Sequence, residues 1–297
     1  MAKSAFEEKQ YEGPMNMQLL AGSYRFFAPG QVLEATVGLD AAMWTDNKVF
    51  WAVWSGAAGG PPLAGAVPRP AWWSGATLSA AQLPPFALNL LVQYKRADRM
   101  LRPNAREWPV WKQKYYRYQV DDPPGQLPAL SVCATALGAQ GLVLYAAPAF
   151  HTLPDLWKHV QAGELVQHSN FVEATKLVGH RRWTFPQAGK FGIAHREPVE
   201  VASFQFTDEI GLRRERARGG TGSVFDAAAR AAYAAASKVR FPRVTTETLR
   251  RLQHEVVEGV LERGRGEDAS RESAAECGNF AVAAAFFRSA GIEWMIG

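Results

Sequence analysis

"NLLVQYKRADR", residues 89–99, is the stretch on which the reading of this chain turns. Leu90, Leu91 and Val92 lead straight into Gln93, Tyr94 and Lys95, with no Gly, Asn or Pro between them to mark a turn. The run predicts a central β-strand, and strand alternation then puts Gln93 and Lys95 on one face. A lysine on the inner face of a central strand needs a reason, because an unpaired ammonium is costly to bury. An amide oxygen and a cation side by side at a strand end point to a site.

Around this strand the chain alternates element types. "GLDAAMW" (38–44) and "VFWAVW" (49–54) read as strands, and "GQLPALSVCATALGAQG" (125–141) as a helix closed by Gly141. "LVLYAAPAF" (142–150) reads as a second buried strand. The helix between these strands makes them parallel neighbours, and the pattern predicts a mixed α/β sheet. A helix or two short ones is expected over 4–24, interrupted at Gly13-Pro14. Residues 151–200 look less regular: a helix at 151–165, loop-like segments including 177–192, and a strand at 198–206. A basic, glycine-rich stretch at 211–223 marks a boundary. Beyond it, helices are expected at roughly 223–239, 245–263 and 269–290, with Thr245 or Thr246 capping one.

The expected organisation is a domain over 1–210, with a Trp-, Pro- and Gly-rich insertion at about 49–88, and a helical segment over 222–297. In the insertion, Arg69 is the only charge between Lys48 and Lys95, yet Gly and Pro break it before it reaches the ~20 apolar residues of a membrane span. No membrane partner is expected. The N-terminus shows no signal-peptide pattern, and the two cysteines, Cys133 and Cys277, lie in Ala-rich, helix-like surroundings. A cytoplasmic protein is expected. The net charge of +5 has the sign that suits a polyanionic partner.

Upstream, "EATVGLDAAMW" carries Glu34 and Asp40 on either side of Gly38. If the strand that Asp40 opens lies beside the strand that Gln93 and Lys95 close, a carboxylate, an amide oxygen and an ammonium meet, with Glu34 reaching in. Oxygen ligands of this kind hold Mg²⁺ or Mn²⁺. Such an ion lowers the pKa of bound water, while a lysine orients the attacking water or stabilises a phosphorane.

Glu34-x3-Gly38-x-Asp40, followed by an apolar strand ending in Gln93-x-Lys95-Arg96, resembles the PD-(D/E)xK, or restriction endonuclease-like, nucleases in their QxK variant. The resemblance covers about residues 5–150. It implies a restriction endonuclease-like core, a central mixed sheet flanked by helices, here followed by the C-terminal helical segment. It also implies metal-dependent hydrolysis of DNA, most simply double-stranded, leaving 5′-phosphate and 3′-hydroxyl ends. Restriction or anti-phage defence is the natural setting. Glu34, Asp40, Gln93 and Lys95 are then the catalytic set, and Glu34, Asp40 and Gln93 the ligands of Mg²⁺ (or Mn²⁺). Glu12, with Glu8 in the first helix, competes with Glu34 for the role of the additional acid.

The run "KRADRMLRPNAREWPVWKQKYYRYQ" (95–119) interleaves basic and aromatic residues. Arg96, Arg99, Arg102, Lys112 and Lys114 are the candidate phosphate contacts, with Arg106 and Arg117 near them. Five of the six histidines fall between 151 and 195, without Cys partners or an H-x3-H repeat; loop or cap roles are expected for them. Two other readings stand beside the nuclease. The chain is a non-catalytic nucleic-acid-binding or assembly protein of nuclease-like fold, or it is a homodimer or a subunit of a larger complex docking through the insertion or the last helices.

Overall fold

The computed structural model describes residues 1–19, 24–27, 42–45, 88–121, 124–189, 191–195, 198–202, 224–239, 244–263 and 271–296, with a few more between 204 and 213. Among these the protein is mixed α/β. Its centre is a four-stranded sheet in the order β11 (Glu293–Ile296), β3 (Asn89–Tyr94), β6 (Gly141–Pro148), β7 (Ser169–Glu173). β3 and β6 are parallel, with Gln93 opposite Tyr145, and the chain returns between them through helix α2 (Gln126–Leu137). Every residue of both strands is buried. Burial on both faces explains why they read as apolar runs and not as alternating ones.

The faces are covered by different elements. Leu91, Val143 and Tyr145 join a core containing Leu127 and Leu130 of α2, Ala228 and Ala232 of α4 (Val224–Lys238) and Phe286 of α6 (Arg271–Ser289). Leu90, Val92 and Tyr94 join a second core containing Tyr11 and Met15 of α1 (Glu8–Leu19). α1 runs unbroken through Gly13-Pro14, where the sequence predicts an interruption. An interior proline costs a helix ~3 kcal/mol. Docking offsets that cost: Tyr11 and Met15 are fully buried, the Tyr94 hydroxyl donates to Asn16 Oδ1, and the Tyr11 hydroxyl donates to Ser169 Oγ at 2.7 Å.

A five-stranded antiparallel sheet, in the order β10 (Val199–Ala202), β9 (Phe191–His195), β8 (Arg182–Phe185), β5 (Tyr115–Gln119), β4 (Asp98–Met100), adjoins the first. β8 and β9 lie where loop-like chain is expected. In β8 polar Arg182 and Thr184 alternate with apolar Trp183 and Phe185, and all but Arg182 are fully buried. A single helical turn, Trp108–Trp111, precedes β5, and α3 (Leu153–Ala162) follows β6, capped by the Thr152 hydroxyl accepting from Asp155 N at 3.2 Å.

The C-terminal helices stand where the sequence puts them, with α5 at Thr246–Arg263. Thr245 and Thr248 cap α5 reciprocally, each backbone N–H donating to the other's hydroxyl. The segment does not end in a helix, however. After α6 the chain extends as β11 and pairs antiparallel with β3, while the Trp294 indole donates to Asn89 Oδ1 at 2.9 Å. Cys133 and Cys277 are buried free thiols, and burial pushes the Cys133 thiol up to about 12. Among the described residues no helix is long and apolar enough to cross a membrane.

Candidate functional site at the end of strand β3

Lys95 extends β3 by one more ladder bond, its N–H donating to Ala146 O at 2.9 Å. Gln93, in β3, and Lys95, just past its end, are 5% and 7% exposed. Lys95 Nζ donates to Gln126 Oε1, at the start of α2, at 3.1 Å and lies 5.9 Å from the centre of the Tyr145 ring. Gln93 Nε2 donates to Tyr94 O at 3.1 Å. Among the described residues Gln93 Oε1 is buried with no hydrogen-bond partner. Such an acceptor is expensive, by roughly 1–3 kcal/mol, and calls for an explanation.

Helix α1 brings acids to this strand end. Burial pushes the Glu8 carboxyl above the usual carboxylate range; the Lys95 ammonium opposes that, Glu12 reinforces it, and the Arg96 backbone N–H donates to the carboxylate and lowers it. Glu8 and Glu12, four residues apart, share a helix face. Glu12 is 7% exposed and pairs with Lys9 Nζ at 3.0 Å. Among the described residues, Glu8 of α1 is an acid that feels the charge of Lys95.

Glu34 and Asp40 lie outside the described residues. The strand that follows Asp40, β2 (Ala42–Thr45), pairs with β1 (Tyr24–Phe27) as a separate hairpin. The sequence reading supposes that this strand neighbours β3; instead the two edges of β3 are taken by β6 and β11. β11 competes well for that edge because Trp294 is anchored on Asn89. Its ladder ends at Val92, opposite Glu293, so it stops one residue short of Gln93.

The basic run divides. Arg96, Arg102, Lys112 and Lys114 are exposed, Arg96 lying 3.8 Å from Glu7. Arg99 is half-buried, with its guanidinium 5.4 Å from the centre of the Tyr116 ring. Arg117 is not available for phosphate. It joins Arg182 on the buried Glu107 carboxylate, at 3.2 and 2.8 Å, where the Tyr115 hydroxyl also donates at 3.0 Å. Of the histidines, His195 Nε2 lies 2.7 Å from Thr184 Oγ1, while His159 and His168 come together with Glu164. That last grouping is invisible to a search for helical repeats, since it spans a helix end.

Comparison with known proteins returns no match: no family profile, no curated protein and no solved structure corresponds to this chain.

Proposed function

We propose that the chain is a metal-dependent nuclease that hydrolyses DNA phosphodiester bonds at the end of β3. The observation that carries the reading is the Gln93–Lys95 pair, in which a buried amide oxygen without a partner among the described residues stands two positions from a buried ammonium whose field reaches an acid on α1. A hard divalent ion takes oxygen donors such as Gln93 Oε1, which lies with Leu91 on the α2 face of β3, while α1 and its Glu8 pack on the other face and answer the charge of Lys95. Together with Asp40 and Glu34 of the sequence motif, Gln93 would hold Mg²⁺ or Mn²⁺. When bound, such an ion lowers the pKa of a water and neutralises phosphoryl charge. Lys95, held by Gln126, orients the attacking water or stabilises charge developing on the phosphoryl oxygens. The exposed Arg96, Arg102, Lys112 and Lys114 follow β3 directly and supply the phosphate contacts.

One observation favours the non-catalytic alternative: β11 fills the edge of β3 that the Asp40 strand would take. Mg²⁺-dependent cleavage of plasmid DNA separates the two. Wild type is expected to cleave, with Lys95→Ala, Gln93→Ala and Glu8→Gln slower by on the order of 10²–10³. Equal rates in all four proteins would remove the catalytic assignment. No cleavage by wild type across plasmid, linear and single-stranded DNA would leave the binding reading.

A further inference from the structure

We propose that His159, Glu164 and His168 form a binding site for a divalent transition-metal ion of the zinc class. His159 Nδ1 and His168 Nε2 lie 4.0 and 3.6 Å from the same carboxylate oxygen, Glu164 Oε2. The three donor atoms all fall within 4.8 Å of one another. In a tetrahedral zinc site with bonds of about 2.0–2.2 Å, ligand atoms stand roughly 3.3–3.6 Å apart, so the cluster needs to contract by at most about 1.5 Å.

The backbone holds the cluster in place. Helix α3 ends at Gly163, whose φ of 69° is the left-handed conformation that turns the chain back on itself. Glu164 N then donates to His159 O at 2.9 Å and His168 N to Glu164 O at 3.1 Å, so the three ligands are tied pairwise through the main chain. The loop between them is pinned from α1, where Gln18 Oε1 accepts from Leu165 N at 2.7 Å.

A second observation points to a ligand independently. His159 is 8% exposed, and its Nδ1, the atom that faces Glu164, is buried without a hydrogen-bond partner among the described residues. Burial and the neighbouring His168 hold the His159 ring below the usual imidazole range, which suits a neutral ligand. His168 and Glu164 are about half exposed, 44% and 49% by side chain, leaving an entry path from solvent. The two imidazoles stack at 3.7 Å with an interplanar angle of 25°. Binding therefore swings the exposed His168 ring out of the stack while the buried His159 stays in place. Two imidazoles and one carboxylate suit zinc, cobalt and nickel over magnesium and leave a coordination position for water. The site is independent of the nuclease reading.

The test uses the full chain, stripped of metal with a chelator and titrated with Zn²⁺, and with Co²⁺ as a coloured probe. Wild type is expected to take up one equivalent at this site and to show a cobalt visible spectrum. His168→Ala and Glu164→Gln, both at accessible positions that leave the core intact, weaken zinc by at least about tenfold and lose that spectrum. His180→Ala keeps wild-type affinity. Equal zinc affinity in wild type, H168A and E164Q, or no stoichiometric uptake by the wild type, overturns the proposal. Neither result bears on DNA cleavage, which is read separately.

Discussion

Replacing Gln93 by methionine sets stability against function in one residue. In the fold Gln93 makes one hydrogen bond, from Nε2 to Tyr94 O, and buries Oε1 with no partner among the described residues. Methionine has nearly the same length and volume and fills the space without polar atoms. Relief of the unsatisfied oxygen is worth roughly 1–3 kcal/mol, and loss of the single bond costs about 1 kcal/mol. The balance is a gain of about 1 kcal/mol in metal-free buffer, a rise of ~2 °C in Tm for a protein of this size. Urea denaturation with and without Mg²⁺ measures it. In the proposed nuclease, wild type gains stability from Mg²⁺ and Q93M does not, and Q93M loses cleavage. If Q93M is instead destabilised by more than about 1 kcal/mol without metal, the Gln93 oxygen has a protein partner and the argument that it awaits a ligand fails.

The buried Glu107 network should behave oppositely, because there every partner is protein. Glu107→Ala leaves the Arg117 and Arg182 guanidiniums, 24% and 16% exposed, without their carboxylate. Breaking a buried pair costs about 3–5 kcal/mol, and the partial exposure of the arginines places this case near 3; a loss below about 1 kcal/mol in urea denaturation would mean that solvent already screens the cluster. Burial alone would raise the Glu107 carboxyl, but the Tyr115 hydroxyl and the two guanidiniums hold it below its ordinary value of 4.5. Its contribution is therefore fully present above that value and lost as pH falls through the lower folded pKa. Stability curves against pH should fall more steeply below about 4.5 for wild type than for Glu107→Gln. Gly192→Ala tests packing: a Cβ there would stand 2.1 Å from Trp183 Cζ2 and 2.7 Å from Thr184 O. Since a backbone oxygen cannot step aside cheaply, a loss of about 1–3 kcal/mol or more is expected, and a wild-type Tm would show that β8 and β9 are looser than described.

What the sequence discloses here follows the range of the interactions involved. β3 and β6 are doubly buried, so they announce themselves as apolar runs, and the helix between them correctly predicts a parallel pair. The Ala-rich α4 and the Thr245 cap are local signals, and the last three helices are legible almost to the residue. The strands β5, β8 and β9 are four or five residues each, β5 and β8 mixing Tyr or Trp with Arg and β9 carrying Gly192 and His195. What makes them strands is pairing with one another, not a pattern within any of them. Gln93 and Lys95 stand out because polarity in a buried strand is locally anomalous. Which acid meets Lys95 depends on how α1 crosses the sheet, so Glu8 does not stand out from Glu12 or Glu34 before the helix is placed. The His159–Glu164–His168 grouping depends on one left-handed glycine, Gly163, and so follows no fixed repeat.

The seat of the last strand sets a timetable for folding. Trp294 and its partner Asn89 are 205 residues apart. At synthesis rates of about 5–20 residues per second, an emerging β3 waits on the order of 10–40 s for that neighbour. During that interval one side of an apolar strand is exposed as a ready template for foreign chains. Only the pairing of residues 293–296 closes that edge of β3 among the described residues.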